Sequence, residues 1–278
     1  MDELLRQAGP AALAAAAALY LDRRTRRLGL DPPGFREPLR RVLGLGAVAL
    51  VLWVAVFLPL GRIGSGAEGE PDFSSLPTWQ LFLVHLLLLA ALAGWYGAGF
   101  GGAAGRGPGA SAAEQLGLAT PGRLREVGVG LLFGVGAWFV VVAGLVLVAL
   151  SIASLGGEAL LPKQPPPAIE WIAGQPLALR AALALSAGVV EEIFFRGLLQ
   201  PRVGLLFSTG LFALAHLSYD QPFVLVGVTA LSVLYGLLVR WRQSLWAAIT
   251  AHALFDAVQL LIVIPTVLDQ FYRAAPAP

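Results

Sequence analysis

From Val127 to Leu155 the chain runs without a single charged residue. The hydrocarbon core of a bilayer is ~30 Å thick, and a helix needs ~20 apolar residues to cross it. This run therefore predicts a transmembrane helix. Composition points the same way. Of the 278 residues 57% are hydrophobic and 13% are charged, against ~45–50% and ~25% in soluble domains.

Similar apolar runs give seven spans: Val42–Leu60, Gln80–Phe100, Val127–Leu155, Pro176–Gln200, a short Gly204–Leu217, Pro222–Trp241 and Ser244–Pro265. The expected fold class is all-α, a polytopic transmembrane helical bundle of about seven to eight spanning helices. The N-terminal segment Met1–Leu21 has an apolar part too short to span. Asp2 and Glu3 sit where a signal peptide would be basic. It reads as an interfacial or partly inserted helix, followed by an Arg-rich cytoplasmic loop over Asp22–Arg41 with a Pro32-Pro33 break. The Pro-rich patch at 161–167 reads as a stiff extracytoplasmic linker.

Charge placement orients the bundle. Arg23–Arg41, Arg106, Arg123, Arg125, Arg202, Arg240 and Arg242 fall on one side, which is expected to be cytoplasmic. Arg62, Glu68, Glu70, Asp72, Glu158, Lys163, Glu170, Asp220 and Asp269 fall on the other. The chain has no Cys, so disulfides, Cys metal ligands and a Cys nucleophile are excluded. No basic, aromatic-interleaved patch suggests nucleic acid.

The run Ala187–Gln200 breaks the apolar pattern with Glu191, Glu192 and Arg196. Each charge near a bilayer centre costs on the order of 3 kcal/mol on insertion scales. Glu192 and Arg196 are at i,i+4 and can pair. Glu191 points about 100° away around the helix and has no such partner. His216 and His252 lie on two other spans. At 1.5 Å rise per residue, Glu191, His216 and His252 all sit roughly 12–18 Å below the cytoplasmic boundary. Asp256 is one turn beyond His252 on the same face. His85 has no polar companion in its span and reads as structural or interfacial.

A buried carboxyl facing an imidazole suits water activation by general base catalysis. A second imidazole can donate to a developing oxyanion. The same side chains also allow Zn²⁺, with His216, His252 and Asp256 or Glu191 as ligands and water in the open position. No HExxH motif is present.

Three motifs on three separate spans now stand in order: Glu191-Glu192-x-x-x-Arg196, Phe212-x-x-x-His216 and His252-x-x-x-Asp256. Gly236, and Ser244-Leu245-Trp246 with Ile249, accompany them. Together they resemble the CPBP family, the CAAX prenyl endopeptidases and the bacteriocin-processing or immunity-related membrane proteins. The resemblance covers about Pro176–Leu260. It implies an intramembrane endopeptidase whose site opens towards the cytoplasm. By position, Glu191 and His216 would activate water, and His252 with Asp256 would stabilise the oxyanion. Glu192 and Arg196 would support them. The resemblance favours a metal-free glutamate mechanism, with zinc on His216, His252 and Asp256 as the alternative. One departure stands out. The family's prenyl endopeptidases often carry Asn where this chain has Asp256, and an ionised Asp only accepts hydrogen bonds.

On this reading residues 1–41 form the N-terminal helix and Arg-rich loop, 42–155 three accessory helices, and 156–278 the catalytic helical core. The expected partners are the bilayer and a membrane-associated peptide or protein, cut at a leader or C-terminal tail. The expected location is the bacterial inner membrane. The competing class is non-enzymatic: an ion or proton transporter, or an immunity or scaffolding protein. No pair of broken helices in repeated halves supports the transporter.

Overall fold

The computed structural model describes residues 2–62, 76–101, 111–162, 164–219 and 221–274. Regular secondary structure among them is helical throughout. Helix α1 is Asp2–Arg27. Helices α2, α3 and α4 are Pro38–Phe57, Thr78–Phe100 and Arg123–Ser154. Helix α5 starts as Leu177–Glu191, continues as a π-helical stretch Glu192–Leu199 and ends as Gln200–Val203. Helix α6 is Leu205–Ala215 and α7 is Pro222–Arg242. Helix α8 begins as Leu245–Val258 and passes through a π-helical turn, Gln259–Val263, into Ile264–Ala274.

The boundaries follow local chemistry. Pro38 and Pro222 open α2 and α7, where a missing N–H costs nothing. Gly204 at φ 87° separates α5 from α6, a conformation that a side chain would strain.

Five helices (α2, α3, α4, α7 and α8) are long and apolar enough to cross a membrane. The chain is a multi-pass membrane protein with an all-α bundle. The five fall short of the seven or eight spans expected. Helix α5 is interrupted by Arg180, Glu191, Glu192 and Arg196, and α6 has only 11 residues. Large apolar side chains on α4 point outwards, among them Leu132, Phe139 and Leu147. In a multi-pass chain such a face meets lipid.

Helix α8 is the packing centre and touches α4, α5 and α7. Ala247, Ala248 and Ala251 on it have no exposed surface. Lipid supplies little hydrophobic drive between helices, so close contact rests on small residues. Gly130 and Gly134 of α4 lie against the Ala247 and Ala251 backbone. Gly188 of α5 faces Ala253, where an added Cβ would come within 2.6 Å of its backbone nitrogen. These contacts draw α5 and α8 together at the level of the glutamates.

Two apolar cores result. One joins α1, α2, α3, α5 and α6, with Leu52, Trp95, Phe194 and Leu198 at its heart. The other joins α4, α7 and α8 through Tyr235, Leu238 and Ala248. Helix α5 and its acidic pair lie on the seam between them.

The N-terminal region is more ordered than the sequence suggests. Helix α1 buries Ala14, Ala17 and Leu21 in the first core, and it is not among the five membrane-length apolar helices. The Arg-rich stretch is mostly helix ends rather than a loop. Asp22 pairs with Arg26 and Arg41 at 2.6 Å each. Arg24 donates to the Arg202 carbonyl at 3.2 Å. Arg24, Arg26, Arg40 and Arg41 each find an acceptor nearby. Glu68, Glu70, Asp72, Arg106, Lys163 and Asp220, used above for orientation, lie outside the described residues.

A contrast of two glycines tests this packing. Gly130→Leu would drive a side chain into the Ala247 carbonyl and Thr250. It should destabilise the bundle by about 1–3 kcal/mol, seen as a lowered midpoint of thermal unfolding in detergent. Gly136→Leu on the same helix meets nothing within 4 Å and should leave the midpoint essentially unchanged.

Candidate active site

The α-to-π change in α5 coincides with the acidic pair. Glu191 ends the α-helical part and Glu192 begins the π-helical stretch. Such distortions within helices recur at functional sites. Here the neighbouring carboxylates face different helices.

Glu192 faces α8. Its Oε1 lies 2.9 Å from Arg196 Nη1 and 2.9 Å from His252 Nδ1. The pair is among the most buried in the protein, with side chains 0% and 1% exposed. Arg196 lies over the Phe212 ring of α6, 4.2 Å from its centroid, and near the Tyr235 ring of α7 at 6.0 Å. Its Nη2 reaches the Ser232 carbonyl at 3.5 Å. One guanidinium thus ties α5 to α6 and α7, while its carboxylate partner ties α5 to α8. The sequence places Glu192 as a partner of Arg196 alone; the structure also makes it the anchor of His252.

Glu191 faces α3. Its Oε1 lies 3.2 Å from His85 Nε2. His85 Nδ1 lies 2.6 Å from Ser186 Oγ, five residues before Glu191 on α5. The second carboxylate oxygen, Oε2, is buried and has no hydrogen-bond partner. The structural reading of His85 is therefore corrected. Its polar companion comes from another helix, and no signal within the α3 sequence could have named it. The available hint was that the chain has three His in all, two of them already in the polar layer.

His252 also faces Asp256, with Nε2 to Oδ2 at 3.5 Å. That is an ion-pair distance rather than a well-formed hydrogen bond. The two rings Tyr235 and His252 stack at 5.3 Å. His216 caps the end of α6, and its Nδ1 contacts the Phe212 carbonyl at 2.8 Å. Its ring lies 4.7 Å from Phe212, which in turn is 6.1 Å from His252. The Phe212 ring thus lies between His216 and His252, and His252 reaches Glu192, the neighbour of Glu191. The site is closed on the Glu192–Arg196 side. It is less buried around His216, Tyr219 and Asp256.

Both His252 nitrogens face carboxylates. Among the described residues no three His, Asp or Glu side chains converge as metal ligands.

Sequence comparison matches residues 173–258 to the family described as type II CAAX prenyl endopeptidase Rce1-like. That segment is similar to this family. The match begins within three residues of Pro176, where the resemblance starts, and contains Glu191, Glu192, Arg196, His216, His252 and Asp256. His85 lies outside it. The chain is also similar to uncharacterized protein YpbD of Bacillus subtilis (strain 168), 40% identical over 77 residues. This alignment covers 27% of the chain and 41% of that relative, so the chain spans less than half of the relative's length. No solved structure matches the chain.

The buried pair gives a test. Arg196→Met leaves the buried Glu192 with His252 but without its guanidinium partner. Loss of one partner of a buried pair costs about 3–5 kcal/mol. The variant should unfold at a clearly lower temperature in detergent, whereas Arg40→Met, which removes the exposed Arg40–Glu37 pair, should cost under about 1 kcal/mol.

Proposed function

We propose that the protein is an intramembrane endopeptidase that hydrolyses a peptide bond through a glutamate-activated water. The observation that carries this reading is Glu191, whose buried carboxylate has one oxygen held by His85 and the other, Oε2, without a partner. A water between Glu191 and His216 would lose its proton to Oε2 as its oxygen attacks the scissile carbonyl. Nε2 of His252 would donate to the resulting oxyanion, because Asp256 only accepts and its 3.5 Å contact leaves that nitrogen open to a better-aligned acceptor. Asp256 would then orient His252 and offset charge on its ring. Glu192 holds the opposite nitrogen at 2.9 Å. Collapse of the tetrahedral intermediate breaks the C–N bond, and the proton taken by Glu191 passes to the leaving amine.

The Rce1-like match over residues 173–258 supports this reaction class. The metal-free route is the preferred reading, and zinc on His216, His252 and Asp256 is the alternative that a chelator tests. The substrate is a membrane-associated peptide or protein, cut at a leader or C-terminal tail. A site buried among helices would receive its chain from within or beside the bilayer. We read the side of Arg123, Arg125, Arg240 and Arg242 as cytoplasmic from the arginine distribution, and the membrane as a bacterial inner membrane.

Two measurements test this. Wild type and Glu191→Ala are each reconstituted with host membrane peptides, with and without a chelator, and new termini are read by mass spectrometry. Cleavage lost in Glu191→Ala and insensitive to chelator is expected. Cleavage abolished by chelator and restored by Zn²⁺ would replace the glutamate mechanism with a metal-dependent one. No wild-type cleavage, together with ion flux in liposomes, would replace the peptidase with a transporter. Orientation is checked in inverted vesicles, since the chain has no Cys. A cysteine at Ala119 should react with an impermeant maleimide there, and one at Leu160 should not.

A further inference from the structure

His85 stands outside the Rce1-like segment yet touches the carboxylate on which the proposed chemistry depends. The geometry points to His85 and Ser186 as a positioning pair that presents Glu191 for catalysis, a role resting on the peptidase reading above.

The proton assignment follows from the partners. An ionised carboxylate only accepts, so His85 Nε2, 3.2 Å from Glu191 Oε1, is the nitrogen that carries hydrogen. A neutral imidazole then has its lone pair on Nδ1. The atom facing Nδ1 at 2.6 Å is the Ser186 hydroxyl, which can donate. Ser186, His85 and Glu191 thus form one polarised chain with a single consistent tautomer. Both of its ends lie on α5 and its middle lies on α3. The Phe82 ring packs edge-on to His85 with centroids 6.4 Å apart, which restrains the ring further.

The consequence lies at the other carboxylate oxygen. With Oε1 committed to His85, the carboxylate cannot rotate freely. Oε2 is buried and makes no hydrogen bond within the protein, and under the peptidase reading it is the oxygen that would take the water proton. Packing alone would not call for a hydroxyl aimed at the far side of the same imidazole. The accessory helix α3 is thereby part of the active site. The catalytic unit extends beyond the segment that carries the family motifs.

The test compares His85→Leu, His85→Gln, Ser186→Ala and Glu191→Gln with wild type. Kinetics are followed on whichever peptide of the host membrane pool wild type cuts fastest. Each variant is first checked for a monodisperse profile and an unfolding midpoint near that of wild type. His85→Leu removes the donor and should lower kcat on the order of 10- to 100-fold at unchanged KM. Ser186→Ala removes one hydroxyl and should lower kcat by roughly 3- to 10-fold; it carries the test if His85→Leu does not fold. His85→Gln keeps a donor and an acceptor on one planar group and should recover most of the loss.

His85→Leu within about 3-fold of wild type, with Glu191→Gln inactive, would overturn the positioning role and leave the peptidase intact. Equal losses in His85→Leu and His85→Gln would overturn it in favour of packing. An inert wild type would remove the peptidase reading, and the positioning role with it.

Discussion

The structure depends on one buried ion pair. Glu192 and Arg196 are almost fully removed from solvent, in a setting where an unpaired charge is strongly unfavourable. Their partners must therefore come from neighbouring helices. Arg196 takes the Phe212 and Tyr235 rings and the Ser232 carbonyl, and Glu192 takes His252. The demand for compensation fixes where α6, α7 and α8 stand around α5. A purely apolar interface would tolerate sliding and rotation much more readily. The pair contributes specificity of arrangement more than net stability.

Small residues make that demand possible to meet. Gly188 lets α5 approach Ala253 of α8, and Gly130 and Gly134 let α4 close on the other side. The backbones come near enough for a Glu side chain to reach an imidazole on the next helix. Burial then excludes water from the Glu192 side, while His216, Tyr219 and Asp256 remain less buried.

Much of the fold was legible from the sequence. The span Gln80–Phe100 differs from the observed helix by two residues at one end, and Pro222–Trp241 by one. Apolar runs and Pro positions are local signals, and they survive folding. Legibility was poorest where polar groups compensate one another at a distance. The Arg-rich stretch after Asp22 reads as a loop, and although Asp22 pairs locally with Arg26 and Arg41, the Arg202 carbonyl that holds Arg24 is far away in the chain. His85 reads as structural because its partners, Ser186 and Glu191, are more than 100 residues distant.

The sequence by itself determined that this is a helical membrane protein with acidic and imidazole groups set into its apolar segments. Those facts follow from hydropathy, helical rise and the scarcity of charge. It also determined that Glu192 could pair with Arg196, since i,i+4 neighbours share a face. Only the tertiary structure decided which imidazole serves which carboxylate: His85 meets Glu191, and His252 meets Glu192. Depth along a helix is encoded by counting residues. The direction in which a side chain finds its partner is decided by the rotation and neighbours of each helix, and those are set by packing across the whole bundle.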